Sequence, residues 1–380
     1  MNGYLKLKES NCKNCYKCIR HCPVKSIRFS NNQAHIVEEE CILCGMCFMV
    51  CPQNAKIIRD DVQKAKELIA SGKSVYVSLA PSFVANYDGA TIKSMERALK
   101  VLGFAGAEET AIGATIVKTR YEQILAEGKQ DIVISTCCHS VNTLVQKYFP
   151  NLAGYLADVV SPMQAHCAKM KKEHPGAYTV FIGPCISKKA EAEKYPGTVD
   201  CVLTFEELSR WLEEKQVAVG KEPDDIAPGR ARMFPTSGGI LRTMNCVEED
   251  YTYLVVDGTE NCIKALRDIQ AGKLGKCFIE MSACSGSCVA GPGMEKSHRA
   301  PVREYIAVQS YAGREDFPIQ MPQPGELHKE LLSEPNKKPI PGSTAIEEIL
   351  RQMGKTKPED ELNCGSCGYD TCREKAQAIF

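Results

Sequence analysis

Residues 278–293 read FIEMSACSGSCVAGPG: an apolar run continuing from Cys277 that breaks into small residues, with Cys284 and Cys288 at C-x₃-C spacing. A strand ending in a Gly/Ser-rich loop lets the backbone come close to something bulky, because larger side chains would collide with it. Two thiolates delivered on such a loop can hold an inorganic cluster, although two buried cysteines packed as small hydrophobes would read the same way. Two more loops favour the cluster. Ser135-Thr136-Cys137-Cys138-His139 follows the strand-like DIVIS, and Gly183-Pro184-Cys185-Ile186-Ser187-Lys188 follows YTVFI. Three cysteine-bearing loops, each behind a β-rich run, can converge on one metal centre.

A chain of 380 residues can bury a large core, with room for roughly two to four domains. Lys+Arg and Asp+Glu both number 47, so there is no global basic surface for nucleic acid and no acidic tail. MNGYLKLKES carries no hydrophobic signal region, and no apolar run reaches membrane-spanning length. A cytoplasmic protein with no membrane contact is expected. The 21 cysteines are an odd number in a long chain without an export signal, which argues against a disulfide framework. Cysteines at short regular spacings in a reducing compartment point to metal ligation.

Residues 1–60 contain an internal repeat, Cys12-x₂-Cys15-x₂-Cys18-x₃-Cys22-Pro23 and then Cys41-x₂-Cys44-x₂-Cys47-x₃-Cys51-Pro52. This is the run of bacterial two-cluster ferredoxins, in which the fourth cysteine of each motif ligates the other cluster. The predicted sets are Cys12, Cys15, Cys18 and Cys51 for one 4Fe–4S cubane, and Cys41, Cys44, Cys47 and Cys22 for the other. A zinc site is the competing reading and fits two such units poorly.

Residues 57–72 look like a helical connector ending at Gly72. Strand-like and helical segments then alternate: SVYVSLA (74–80), a helix over 91–103 with Ile92, Met95, Leu99 and Leu102 on one face, a helix over 114–127, and DIVIST (131–136). Helical HSVNTLVQKYF and SPMQAHCAKMKKEH follow, with further strands at YTVFIGP, DCVLTF, YLVVDG and CFIEMS and helices at FEELSRWLEEKQV and ENCIKALRDIQAG. This alternation implies an α/β fold, α+β overall, with parallel sheets covered by helices. Ligands of such folds gather beyond the carboxyl ends of the strands, where all three cysteine loops fall.

Four segments are expected: a ferredoxin-like domain at 1–60, a parallel-sheet domain at 61–311 that the resemblance described below makes two-lobed and catalytic, a Pro-rich surface linker at 312–342, and a small helical iron–sulfur module at 343–380. In the last, Ser343 is the expected N-cap of TAIEEILRQM and Gly354 its stop. Cys364, Cys367 and Cys372 form a C-x₂-C-x₄-C run opening a final helix, a further iron–sulfur signature beside which zinc or an inert turn stays open. Cys167, Cys201, Cys246, Cys262 and Cys277 have no ligand spacing and read as ordinary buried thiols. Gly238-Gly239 lacks the rest of a phosphate loop, so packing or cluster approach suits it better. His166 and His298 read as core or solvent residues.

Behind a two-cluster ferredoxin module and in this order, the three loops resemble the FeFe-hydrogenases. The family's Thr-Ser-Cys-Cys-Pro signature is matched by residues 135–139, its Met-Pro-Cys-x-x-Lys by Gly183 to Lys188, and its Met-x-Cys-x-x-x-Cys by Ser282 to Cys288. Ser161-Pro162-Met163-Gln164 and Ala80-Pro81 resemble segments lining the family's active site, and the likeness covers about residues 1–300. It implies an H-cluster, a 4Fe–4S cubane joined through a shared thiolate to a two-iron subsite carrying carbon monoxide, cyanide and an azadithiolate bridge. By position, Cys138, Cys185, Cys284 and Cys288 would hold the cubane, with Cys288 shared. Cys137 would pass protons and Lys188 would hydrogen-bond a cyanide, where an ammonium suits an anionic ligand; a solvated surface lysine is the bland alternative. Ala80, Pro81, Pro162, Gln164, Pro184 and Ser282 would line the cofactor.

The chain departs from the family pattern at several points. Gly183 and Ser282 stand where methionines are usual, and His139 stands where proline is. The helix over 114–127 offers only Glu122 as a nearby acid, which leaves the usual proton route in doubt. Glu280 is a substitute candidate, against the simpler reading of a paired strand carboxylate. These departures, with the C-terminal cysteines, resemble the sensory branch of the family: a slow, cytoplasmic enzyme of an anaerobe. The resemblance implies H2 and protons as substrates, a ferredoxin-like or other redox partner, maturation proteins and a downstream signalling protein. It also places a fourth cluster cysteine downstream of this sequence. No Per-Arnt-Sim or phosphatase-like output domain is visible. The rivals are a non-catalytic hydrogenase-like iron–sulfur protein of cluster assembly and a ferredoxin-type electron-transfer subunit.

Overall fold

The computed structural model describes residues 3–30, 33–225, 227, 229–245, 248–336 and 341–380. Met1–Arg59 together with Pro335–Phe380 form one compact unit, and Asp60–Glu334 form another.

In the first unit the strands are β1 (Leu5–Leu7), β2 (Ile27–Ser30), β3 (Gln33–Ile36) and β4 (Lys56–Ile58); β1 pairs antiparallel with β4, and β2 with β3. One-turn helices Lys17–Arg20 and Met46–Met49 follow the first cysteines of each repeat, entered through left-handed residues Tyr16 (φ 59°) and Gly45 (φ 75°). The repeat thus reuses one backbone turn twice. Its apolar core is small, built on Leu5, Ile19, Ile27, Ile42 and Ala55. The C-terminal part adds helices Ser343–Gln352 and Cys372–Ile379, tied by Arg373 to Glu347 and Glu361 at 2.9 Å each. Ser343, expected as an N-cap, is instead the first helical residue with Gly342 at the cap position, while Gly354 (φ 76°) ends the helix as predicted.

The second unit holds two all-parallel sheets. Its strands are β5 (Val75–Leu79), β6 (Gly106–Glu109), β7 (Ile132–Ile134), β8 (Tyr178–Gly183), β9 (Cys201–Thr204), β10 (Thr252–Asp257) and β11 (Cys277–Ser282). One sheet has the order β6-β5-β8-β9 and the other β10-β11-β7. Val77 pairs with Val180 and Leu79 with Ile182; in the other sheet Ile279 pairs with Ile134. Strands β5, β7, β8, β9 and β11 are almost wholly buried, as near-continuous apolar runs require, while β10 is a partly exposed edge strand. The helix Ile92–Val101 turns Ile92, Met95 and Leu99 into the core.

Several elements escaped the residue pattern, among them the helix Ser187–Lys194. Strand β6 reads GAEE, too polar to register as a strand; its Glu109 is buried against Arg232 at 2.8 Å. The helix Pro301–Tyr311 is another. The connector at 57–72 opens as β4 and becomes the helix Val62–Ala70, with Gly72 at φ 82°.

The expected linker at 312–342 is corrected: as far as Glu334 it belongs to the second unit. Phe317, Leu327 and Lys329 are buried, Asp316 pairs with Lys118 at 2.7 Å, and the Val160 N–H donates to the Leu327 carbonyl at 2.9 Å. Its apolar residues are spaced too irregularly among prolines to show a period. Among the described residues, no helix is long and apolar enough to cross a membrane.

Candidate metal centres

In the first unit one cavity is lined by Cys12, Cys15, Cys18 and Cys51, and another by Cys22, Cys41, Cys44 and Cys47. The fold therefore exchanges the fourth cysteines between the repeats. Burial, then Cys44, Cys41 and Cys22, push the Cys47 thiol well up. Burial also raises Cys18; Lys56 offsets part of this, and Cys51 and Cys12 add to it. Thiolates so crowded can ionise together only with cations among them, and iron clusters supply these. Backbone N–H groups of Ser26, Leu43 and Ala55 donate to the sulfurs of Cys22, Cys41 and Cys51 at 3.3 Å each. Such donors tune cluster potentials.

Cys364 and Cys367 sit on one turn-rich loop and Cys372 opens the final helix. The Cys372 N–H donates to Asn363 Oδ1 at 2.8 Å, and a Thr371/Glu374 capping box starts the final helix. Cys364 is exposed.

In the second unit the loops after β5, β7, β8 and β11 meet beyond the strands' carboxyl ends. The close approach predicted for the glycine-rich loop is real, but what approaches is protein. A Cβ at Gly291 would stand 2.6 Å from the Pro184 carbonyl oxygen, and the Gly293 N–H donates to that oxygen at 2.8 Å. A Cβ at Gly183 would stand 2.9 Å from that of Ala80, so the Ala80-Pro81 turn abuts the Pro184-Cys185 loop. Gly113 lets the helix Thr110–Glu127 cross Pro162 and His166, where a Cβ would lie 2.3 Å from the Pro162 carbonyl oxygen. That crossing seats the helix Pro162–Glu173, whose Ser161/Gln164 capping box holds Gln164 at the site.

Cys138, Cys185 and Cys288 lie within electrostatic reach of one another. Burial pushes up the Cys288 thiol, with Cys185 and Cys138 adding to it; burial and Cys185 raise Cys138, which the Ala283 N–H faces. Cys284 stands four residues earlier on the same loop. Ser282 is half-buried at the end of β11, and its carbonyl accepts from Cys262 Sγ at 3.4 Å. Among the described residues no group of three or more His, Cys, Asp or Glu closes around a single ion. In a cubane each cysteine holds a different iron, so the sulfurs stand apart, and these pockets suit clusters better than mononuclear zinc.

Lys188 is no surface lysine. Its buried Nζ donates to the Cys137 carbonyl at 2.9 Å and pairs with Glu191. Glu191 also pairs with Lys329, whose Nζ donates to Gln164 Oε1 at 2.8 Å. Burial alone would raise the Glu191 carboxyl, but Lys188 and Lys329 hold it well below the usual range. Burial lowers Lys329; Glu191 opposes this and Lys188 repels it. Burial would lower Lys188 too, yet Glu191 and the Cys185 thiolate hold it above its ordinary value. One carboxylate between two ammoniums leaves positive charge at the site. Glu191 and Lys329 escaped the sequence reading, the latter because it lay in an apparent linker.

Cys137 stands apart from the ligand set. Tyr121, from the helix Thr110–Glu127, places its hydroxyl 3.3 Å from Cys137 Sγ and accepts from the Thr136 N–H at 2.8 Å. Burial pushes the Cys137 thiol up to about 12, with Tyr121 and Lys188 pulling the other way and Glu280 adding to the rise. Glu122, the acid offered by that helix, instead pairs with Lys118 at 3.3 Å. Glu280 is buried on β11, accepts from the Leu241 N–H at 3.1 Å, and faces the N–H groups of Gly238, Gly239 and Ile240. It caps the helix Gly239–Thr243, which gives the glycine pair a packing role. Burial lifts its carboxyl to about 7. His139 is buried and driven down to about 3 by burial, and its Nδ1 has no hydrogen-bond partner among the described residues. His166 is a core residue, 2.8 Å from Ser78 Oγ. Cys167, Cys201, Cys262 and Cys277 are buried free thiols, and Cys246 lies outside the described residues.

Thiol pockets of the dicluster type, and a further one beyond two parallel sheets, define an iron–sulfur protein of the redox class. The family model for the iron-only hydrogenase large subunit, C-terminal domain, matches residues 73–292, over half of the chain, and the chain belongs to that family. A 4Fe–4S dicluster domain matches residues 4–52, and an Fe–S cluster domain matches residues 360–380. The chain is 26% identical to the periplasmic [Fe] hydrogenase large subunit of Nitratidesulfovibrio vulgaris over 80% of its length and 91% of that protein's. It is 24% identical to iron hydrogenase 1 of Clostridium pasteurianum, covering 60% of this chain and 49% of that one. It is also 26% identical to the cytosolic Fe-S cluster assembly factor NAR1 of Yarrowia lipolytica, over 50% of this chain and 46% of that protein. A variant of the FeFe-hydrogenase HydA1 from Chlamydomonas reinhardtii shares the fold, with a TM-score of 0.55 and 18% identity over 68% of this chain and 91% of that one.

Proposed function

We propose that this chain is an FeFe-hydrogenase interconverting H2 with two protons and two electrons, slow and tuned to sense hydrogen. The H-cluster, when bound, supplies the proton–hydride chemistry. Cys138, Cys185, Cys284 and Cys288 would hold its cubane, Cys288 being the thiolate nearest the two-iron subsite by the family's pattern. Ala80, Pro81, Pro162, Pro184 and Ser282 would line the cofactor. Lys188, charged by Glu191, offers its ammonium to a cyanide, and Lys329 fixes the Gln164 amide. Cys137 would hold a proton beside the cofactor, with the Tyr121 hydroxyl as its neighbour and Glu280, whose carboxyl is poised near neutrality, as the acid of an altered route. In the ferredoxin fold Cys12, Cys15, Cys18 and Cys51 hold one cubane and Cys41, Cys44, Cys47 and Cys22 the other, passing electrons to a ferredoxin-like partner. The protein works in the cytoplasm, is loaded by maturation proteins, and reports to a signalling partner.

The observation that carries this reading is Cys137. A protein that only stored or passed cubanes needs its ligand cysteines, not a further half-buried thiol held at 3.3 Å by a tyrosine hydroxyl beside them. The likeness to the NAR1 assembly factors favours a second reading, a non-catalytic protein of cluster assembly, in which cubanes are present without a two-iron subsite. Hydrogen oxidation by matured protein with an artificial acceptor separates the two. Activity that falls about 100-fold or more in Cys137→Ala at unchanged iron content supports the proton role. Equal activity in the variant removes it, and no activity in the matured parent favours the assembly reading.

A further inference from the structure

We propose that the C-terminal cysteine module is an electron port built onto the ferredoxin fold. A cluster held by Cys364, Cys367 and Cys372 would exchange single electrons with the ferredoxin cubanes across the Cys18–Cys22 segment. The inference is independent of whether the second unit turns over hydrogen.

The module and the ferredoxin repeat belong to one compact unit. Their contact is made by residues adjoining cluster cysteines on both sides. Gly368, directly after Cys367, lies so close to the helix Lys17–Arg20 that a Cβ there would meet Ile19 Cγ2 at 2.6 Å and the Arg20 nitrogen at 3.0 Å. Its φ of 90° also calls for glycine. Ile19 directly follows Cys18, so each contacting residue is one Cα step, about 3.8 Å, from a cysteine. Lys25 clamps the contact from its other end, its Nζ donating to the Gly368 carbonyl at 2.7 Å. Next along the chain Tyr369 is buried; burial raises its hydroxyl, Arg28 opposes this, and Glu40 and Cys22 lie within electrostatic reach. The docked glycine and tyrosine thus bracket the segment that carries one ligand of each cubane, Cys18 and Cys22.

Cys364 is exposed and Cys367 and Cys372 half-buried, an exposure matched by the set of Cys12, Cys15, Cys18 and Cys51 and greater than that of the set holding Cys22 and Cys47, both buried. An external one-electron carrier can therefore reach the more buried cubane through the module. One electron then leaves a reduced cluster and enters an oxidised one; no bond forms or breaks.

The test uses the intact protein, reconstituted anaerobically, reduced with dithionite and read by iron analysis and paramagnetic resonance. The parent should hold one cluster's iron more than Cys367→Ser. Its ferredoxin signals should relax severalfold faster than those of that variant, because a third paramagnet lies nearby. Gly368→Leu should keep the iron and slow the relaxation to the Cys367→Ser level, and Lys25→Met should move it part of the way. Equal iron in parent and Cys367→Ser, or equal relaxation with the extra cluster present, would overturn the proposal. Should Gly368→Leu lose its iron, the parent–Cys367→Ser pair and Lys25→Met still decide.

Discussion

The two units hold sulfur ligands in opposite ways. In the ferredoxin repeat, three of every four ligands come from one short turn, and only the fourth crosses to the other motif. In Asp60–Glu334 the cysteines arrive from loops as far apart in sequence as Cys138 and Cys288, each set by a strand of a packed sheet. The first unit has a thin apolar core, so its order should depend on its metals. The second buries Val77, Leu79, Phe83, Met95, Val180, Ile182 and Phe278 completely and should stand without them.

Iron removal should expose that difference most strongly. Anaerobic chelation is expected to abolish amide-exchange protection across Met1–Arg59 and Pro335–Phe380 while Asp60–Glu334 stays protected, because metal binding on the order of 10 kcal/mol is folding energy only where the core is small. Loss of protection in both units together would erase the contrast.

Next in size, Glu191→Gln leaves Lys188 and Lys329 buried without their shared carboxylate. A loss of about 3–5 kcal/mol is expected, read as a lowered thermal midpoint, with Lys329→Met costing less because the Lys188–Glu191 pair survives. Equal costs would show that the two lysines are not held by one carboxylate.

Glu280 gives a pH test. Burial lifts its carboxyl from 4.5 to about 7, so the folded protein binds this proton more tightly than the unfolded chain does. The stability it brings is whole below the unfolded value and lost as pH climbs through the folded one. Glu280→Gln, which cannot ionise, should gain on the parent by up to about 3 kcal/mol between pH ~5 and ~8. A constant difference across that range would mean Glu280 ionises normally. The smallest effect is expected of Tyr121→Phe, about 1–2 kcal/mol from the acceptor lost to the Thr136 N–H, with the thiol of Cys137 left without its hydroxyl neighbour.

The same contrast governs what the residues revealed. The ferredoxin sets were legible because ligand and spacing are local, and the three later loops because each follows the carboxyl end of a recognisable strand, although those strands belong to two sheets. Lys188 was legible only as three residues past Cys185. Its partner Glu191 lies one turn further on, but nothing in a run of charged residues marks it as buried. Lys329 and Tyr121 reach the site only through tertiary packing, one from a Pro-rich stretch without period and the other from the side of a long helix. Strand β6 failed for a related reason, its glutamate being matched by Arg232, more than a hundred residues away.

Infrared spectroscopy of the anaerobically purified protein, matured with a synthetic two-iron precursor, tests the H-cluster assignment most directly. Carbon monoxide and cyanide bands that shift under hydrogen are expected, with a cyanide band moving again in Lys188→Met. Absence of those bands from protein whose cubanes are intact by paramagnetic resonance would contradict it.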